Sequence, residues 1–413
     1  MRRTWQIAYL IFFALVIGSF GIAWCLDKLD VPVPEELGLE KNRSYLEGKT
    51  YASFPEPTLA SFESGEFQEG VESFVADRFP ARDGVLLANA AWQRSLIGIS
   101  AAAFGYDVYP TFYGSDYAYD APRDEVIQIL EPANAEQVQT YEQTAEAYRS
   151  FAERHPELSC YFYEVDRMSS STRNPTHDLM GPSVDTEFLD EHFFDLLGDQ
   201  ITCIEGSFAD TDALAEAFFR TDHHWNGAAA YEEYAKMLDA MMPGAEPAQV
   251  VDCVTWDNVA FYGSTSRSGL CLTDRPDHIV DCLVDISGYE VTINGEHRAS
   301  EVLNGSGSYE LGEVGADPFT NRYAEYFHGD YGLIRIENSD AQTQESLLII
   351  GDSFDNVVDR YFAANYATVY VYDPRHASLT VEEFLERYEV DDTLFLMGST
   401  VFPTEQAVEQ LGK

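Results

Sequence analysis

The sequence predicts an α/β domain: a parallel sheet flanked by helices, with a β-rich insertion, preceded by one N-terminal transmembrane helix. Three observations carry this expectation. The last 70 residues alternate strand and helix patterns, residues 250–340 mix short β runs with many glycines, and residues 7–26 form an uncharged apolar run. Parallel strands need a crossover between them, and a helix usually supplies it.

The apolar run from Ile7 to Leu26 follows Arg2 and Arg3 and precedes Asp27. About twenty helical residues span the hydrocarbon core of a bilayer, and arginines before the run keep the N-terminus in the cytoplasm. A single-pass anchor over 1–26, at the cell membrane with the remaining chain outside the cytoplasm, is therefore expected. A cleaved signal peptide is the alternative, although the run ends Ala23-Trp24-Cys25 without a small-x-small site. Residues 27–60 carry Pro32, Pro34, Pro55 and Pro57 among charges and read as a linker, leaving 61–413 as the domain.

Within the domain, residues 61–98 show helical spacing broken at Pro80, and 104–119 are rich in tyrosine. Residues 135–154, 187–198, 210–219 and 226–242 read as helices; 159–165 and 201–205 read as strands. Leu347-Leu348-Ile349-Ile350 is a buried-strand run that stops at Gly351-Asp352-Ser353. A helix-compatible stretch follows, then a strand over 367–372, a helix over 381–388 and a strand over 393–397.

Composition narrows the function classes. Of 413 residues, 71 are acidic and 25 basic, a net charge of −46. Such a surface argues against nucleic acid as a partner, because phosphate binding needs cations. Five cysteines follow the anchor: Cys160, Cys203, Cys253, Cys271 and Cys282. Export permits disulfides, and the odd number leaves at least one cysteine over. One bridge among Cys253, Cys271 and Cys282 and a cross-sheet pair of Cys160 with Cys203 are both open. No Cys-x-x-Cys is present, and neither a metal nor a cofactor is expected.

Two short segments carry chemistry. Gly351-Asp352-Ser353 places a serine at the carboxyl end of a strand, where backbone N–H groups at a helix start can cradle an oxyanion. A helix cap is the plainer reading of that serine. Thr221-Asp222-His223-His224-Trp225-Asn226 opens the 226–242 helix with an acid, two histidines and an indole. A serine nucleophile needs an imidazole base and a carboxylate to orient it, and an Asp-x-His spacing can supply both. Metal ligation by His223 and His224 is the competing reading.

With these segments in hand, the chain resembles the DHHW proteins. They are similar to the SGNH-hydrolase-like domain of alginate O-acetyltransferases of the AlgX/AlgJ type. The resemblance rests on Asp222-His223-His224-Trp225 and on motif order, with Asp-x-His upstream and Gly-Asp-Ser downstream, the reverse of ordinary SGNH esterases. Arg78-Phe79-Pro80-Ala81-Arg82, the 322–329 segment and Asp373-Pro374-Arg375 also look like family segments. The resemblance implies Ser353 as nucleophile, His224 as base and Asp222 as its orienting acid, with His223 and His376 as rival bases. Oxyanion support is assigned to Ser353, Phe354 and Gly329. Asp330, where the family tends to have asparagine, is left out.

The function so implied is an extracytoplasmic O-acetyltransferase that passes acetyl through an acetyl-enzyme to a cell-surface or exported polysaccharide. The resemblance implies a membrane-bound O-acyltransferase as acetyl donor. A carbohydrate acetylesterase with the same triad, or a non-catalytic polysaccharide-assembly protein, are the alternatives.

Overall fold

The computed structural model describes residues 41–413 except 131–134, 167, 169–170, 172, 177–185, 207, 399–404 and 412–413, and only isolated positions before residue 41. The expected anchor thus lies outside the described residues. Among the described residues, no helix is long and apolar enough to cross a membrane.

The chain divides into two compact units, residues 1–97 and 98–413. The first holds a hairpin of β1 (Arg43–Ser44) and β2 (Lys49–Thr50), inside the stretch read as linker, and the helices Leu59–Ser64 and Glu66–Asp77. A 23-residue helix, Arg82–Phe104, starts beyond the expected break at Pro80 and runs through the unit boundary.

The second unit is an α/β fold. A three-stranded meander of β3 (Val108–Pro110), β4 (Tyr117–Asp120) and β5 (Glu125–Gln128) comes first. The tyrosine-rich segment supplies its first two strands. Next come β6 (Ser159–Val165) and β7 (Ile201–Glu205) of the main sheet. A two-stranded antiparallel ribbon follows, β8 (Val250–Phe261) with β9 (Asp277–Val284). The remaining strands are β10 (Glu290–Ile293), β11 (Glu296–Arg298), β12 (Leu333–Glu337), β13 (Ser346–Gly351), β14 (Thr368–Tyr372) and β15 (Asp392–Gly398).

The main sheet has eight strands in the order β11-β10-β12-β14-β13-β15-β6-β7. From β14 to β7 every neighbouring pair is parallel, whereas β12, β10 and β11 pair antiparallel. The sheet is therefore mixed, and only its core matches the parallel expectation. The 250–340 section is also no separate insertion: three of its strands extend the main sheet at one edge. Only the β10–β11 pairing has a local cause. Asn294-Gly295 has φ +49° and +83°, the turn that folds β10 onto β11 as a hairpin.

The continuous aliphatic run of β13 reflects burial on both faces. Leu347 and Ile349 pack with Trp225 and Phe354 on one side, and Leu348 and Ile350 with Tyr148 and Phe395 on the other. Period-two alternation sends neighbours along a strand to opposite faces. The central strand is thus clamped between two apolar layers, and its carboxyl end cannot drift.

Candidate active site

From β13 the chain goes to β14 on one side, while β15 lies on the other. The strand order reverses there, and such a switch point opens a crevice at the strand ends. Ser353 stands two residues past β13, in that crevice. Gly351 is required by space: a Cβ there would run into the Asp355 carboxylate and lie 2.9 Å from Leu396 O. Asp352 braces the turn, accepting from Phe354 N–H at 3.0 Å and from Gly398 N–H, on β15, at 2.9 Å.

The partner segment is held as a closed loop. Phe218 and Trp225 pair as an antiparallel bridge, Phe219 N–H donates to His224 O at 3.1 Å, and Asn226 N–H donates to Ala217 O at 2.8 Å. Asn226 then caps the helix Gly227–Met241, accepting from Ala228 and Ala229 N–H. Trp225 is fully buried and meets the Phe354 ring edge-on, with centroids 5.5 Å apart. The indole thereby fixes the DHHW loop against the residue after Ser353.

The three expected site residues are brought together. His224 Nε2 lies 2.7 Å from Ser353 Oγ, and His224 Nδ1 lies 2.6 Å from Asp222 Oδ1. Asp222 and His224 are about 5 % exposed, so solvent hardly competes for these bonds. Asp222 Oδ1 also accepts from His224 N–H, and Oδ2 from Ser264 N–H at 2.6 Å. Burial pushes the Asp222 carboxyl up, but the His224 imidazole beside it, the bond between them, His223 and the Ser264 N–H outweigh that, holding it well below the usual carboxylate range.

The rival histidines sit elsewhere. His223 Nδ1 lies 2.5 Å from Ser264 Oγ, and His376 stands exposed beyond β14 with Nε2 4.0 Å from Asp373. Donor atoms of Asp222, His223 and His224 lie within 4.8 Å of one another, the geometry of the competing metal reading. Both ring nitrogens of His224 are, however, already engaged by Asp222 and Ser353. The oxyanion expectation needs correction. Phe354 N–H donates to Asp352 and Gly329 N–H to Phe327 O, because each closes a tight local turn. Among the described residues, no acceptor takes the Ser353 N–H. Asp330 accepts from Asn356 at 3.0 Å and Arg375 at 2.9 Å.

Several residues of this site were missed by sequence reasoning. Tyr323 lies flat on the His224 ring, 3.7 Å between centroids at 6°, and its hydroxyl donates to Ser353 O at 2.8 Å. It touches base and nucleophile at once. Gly263 and Ser264 press on Asp222, and Asp277 Oδ2 on β9 accepts from Thr221 N–H at 2.7 Å. These contacts span 30 to 99 positions of sequence, so no local spacing could reveal them. The tyrosine's place in the family-like 322–329 segment was the one available signal.

The model of the DHHW protein family matches residues 210–372, the stretch that holds Asp222, His224, Tyr323 and Ser353. A DHHW family protein from Eubacterium siraeum has a similar structure, with TM-score 0.54 and 16% identity, covering 70% of this chain and 91% of that one. Bacillus cereus PatB1, in a structure with a sulfonyl adduct, gives TM-score 0.53 and 16% identity, covering 68% of this chain and 96% of that one. At these identities the likeness is one of fold. The O-acetyltransferase domain of Pseudomonas putida AlgJ aligns more weakly, with TM-score 0.36 and 11% identity over 74% of this chain and 98% of that one. None of the curated proteins compared with the chain matches it.

Proposed function

We propose that this chain, a DHHW family protein by its residues 210–372, is a serine O-acetyltransferase with an SGNH-hydrolase-like domain, acting on a polysaccharide outside the cytoplasm. The observation that carries the reading is the relay from Ser353 Oγ to His224 Nε2 at 2.7 Å and from His224 Nδ1 to Asp222 at 2.6 Å. In it, Ser353 Oγ attacks the acetyl carbonyl as its proton passes to His224 Nε2. Asp222 keeps the Nδ1–H tautomer and stabilises the imidazolium. The Ser353 N–H faces the developing oxyanion. His224 returns the proton to the leaving group, then takes one from the acceptor hydroxyl, which attacks the acetyl-enzyme.

Transfer to a sugar in place of water is supported by the motif order shared with the alginate O-acetyltransferase type. Hydrolysis, as a carbohydrate acetylesterase, uses the same three residues. A net charge of −46 repels polyanions, which favours an uncharged glycan as acceptor. The apolar run at 7–26 would anchor the domain, with 27–60 as tether, near a membrane-bound O-acyltransferase that delivers acetyl groups.

Two measurements test this reading. Phenylmethanesulfonyl fluoride should label Ser353 in the wild type and fail to label Ser353→Ala, read by peptide mass spectrometry. Acetyl release from 4-nitrophenyl acetate should be abolished in Ser353→Ala, and adding neutral oligosaccharides should yield acetylated sugar. Normal turnover by Ser353→Ala would remove the nucleophile assignment, and acetate without acetylated sugar would make the enzyme an esterase.

A further inference from the structure

We propose that Cys253 and Cys282 form a disulfide across the β8–β9 ribbon, a staple behind the acid of the triad. The two residues are direct partners in the antiparallel register, so their side chains share one face. Opposed residues of such a pair have Cα atoms about 4.5–5.5 Å apart, inside the about 4.4–6.8 Å span of disulfides. The two thiols also lie close enough to interact, Cys253 adding to the burial that pushes the Cys282 thiol up. The other expected pair fares worse. Cys203 stands opposite Phe162, and Cys160 opposite Ile201. That offset of two residues on neighbouring strands separates the Cα atoms by about 8 Å, beyond the reach of a bridge without backbone movement.

The position gives the bridge a consequence. It would close a loop of about 30 residues. Within that loop, Ser264 N–H holds Asp222 and Asp277 holds Thr221. The staple thus restrains both supports of the segment that presents Asp222 and His224. The chemistry balances with an external disulfide, R′S–SR′, as oxidant. The exposed Cys253 sulfur, as thiolate, attacks one R′ sulfur and expels R′S⁻. Cys282, buried and with its thiol pushed up to about 12 by burial and by Cys253, then loses its proton and displaces the second R′S⁻ from Cys253. Two cysteine thiols are oxidised, the donor disulfide is reduced, and two R′SH leave.

Bridge formation in cells rests on the extracytoplasmic reading above, since cytosolic thiols stay reduced. The site itself does not, so the test has two arms. Purified full-length protein is equilibrated with oxidised glutathione, alkylated and digested. A peptide joining Cys253 to Cys282 is expected, with the melting temperature about 5 °C lower after reduction. Cys253→Ser and the Cys253→Ser/Cys282→Ser pair should lose that reductant response, while Cys160→Ser keeps it. Separate alkylation of Cys253 and Cys282, a link from Cys282 to Cys271, or an unchanged reductant response in the double variant would overturn the proposal. In the second arm, protein from the exporting cell should carry the same link. A link formed with glutathione but missing from cells supports the site and overturns the compartment.

Discussion

Gly263→Ala tests whether the seat of Asp222 sets the rate. Gly263 has φ −78°, a conformation alanine adopts without strain, so any effect comes from the added methyl. That methyl would lie 2.7 Å from Thr221 O and nearer still to Asp222 Cβ and Oδ2. Comfortable contact needs about 3.5–4.0 Å. The Thr221–Asp222 segment must therefore move by about 1 Å, carrying His224 with it. A 2.7 Å bond from His224 to Ser353 stretched by that much leaves hydrogen-bond range. Misplacement on this scale costs about 100-fold in rate. Overpacking costs about 1–3 kcal/mol, too little to unfold the chain at 25 °C. The assay is kcat/KM for 4-nitrophenyl acetate beside the rate of Ser353 sulfonylation, with circular dichroism as the fold control. Gly288→Ala, where a methyl meets nothing within 4 Å, serves as the neutral comparison. A Gly263→Ala enzyme within about twofold of wild type would show that the Asp222 seat does not govern catalysis.

Asp222→Asn should fold normally yet lose about 10³- to 10⁴-fold in turnover. Its amide oxygen would accept the Ser264 N–H, its NH2 would face His224 Nδ1, and the imidazole proton would be driven to Nε2 against Ser353; near-normal turnover would leave Asp222 a mere cap. Tyr323→Phe keeps the ring on His224 but loses the hydrogen bond to Ser353 O, and kcat should fall about tenfold while the melting temperature drops by a few degrees at most; an unaltered kcat would contradict this. Glu125 lines a small cavity with Asp222, His223 and Thr265, and its carboxyl is pushed up to about 8 by burial, then by Asp120. The folded state holds a proton that the unfolded chain releases, so stability is full below about pH 4.5 and falls as the pH rises toward 8, by about 3 kcal/mol at pH 7. Glu125→Gln should flatten that slope in denaturant titrations at pH 5 and pH 8; a parallel slope in both proteins would refute the assignment.

The sequence by itself determined the parts whose physics is local. The aliphatic run 347–350 requires a buried strand, the capping pattern at Asn226 starts the helix 227–241, and Asp222-x-His224 brings an acid to its imidazole within one loop. Tertiary structure decided the rest, because it depends on which distant segments meet. The 129-residue separation of His224 from Ser353 is closed by docking Trp225 on Phe354 and by Tyr323, which touches both. The DHHW motif already favours His224 over His376, but only the fold brings its imidazole to Ser353. The same holds for Tyr323 and Gly263, whose roles exist only as contacts, and for Cys253 and Cys282, whose pairing is a matter of strand register. Edge strands β10–β12 joined the main sheet for the same reason: pairing partners are chosen by the sheet edge that is open, and a chain pattern carries no record of it.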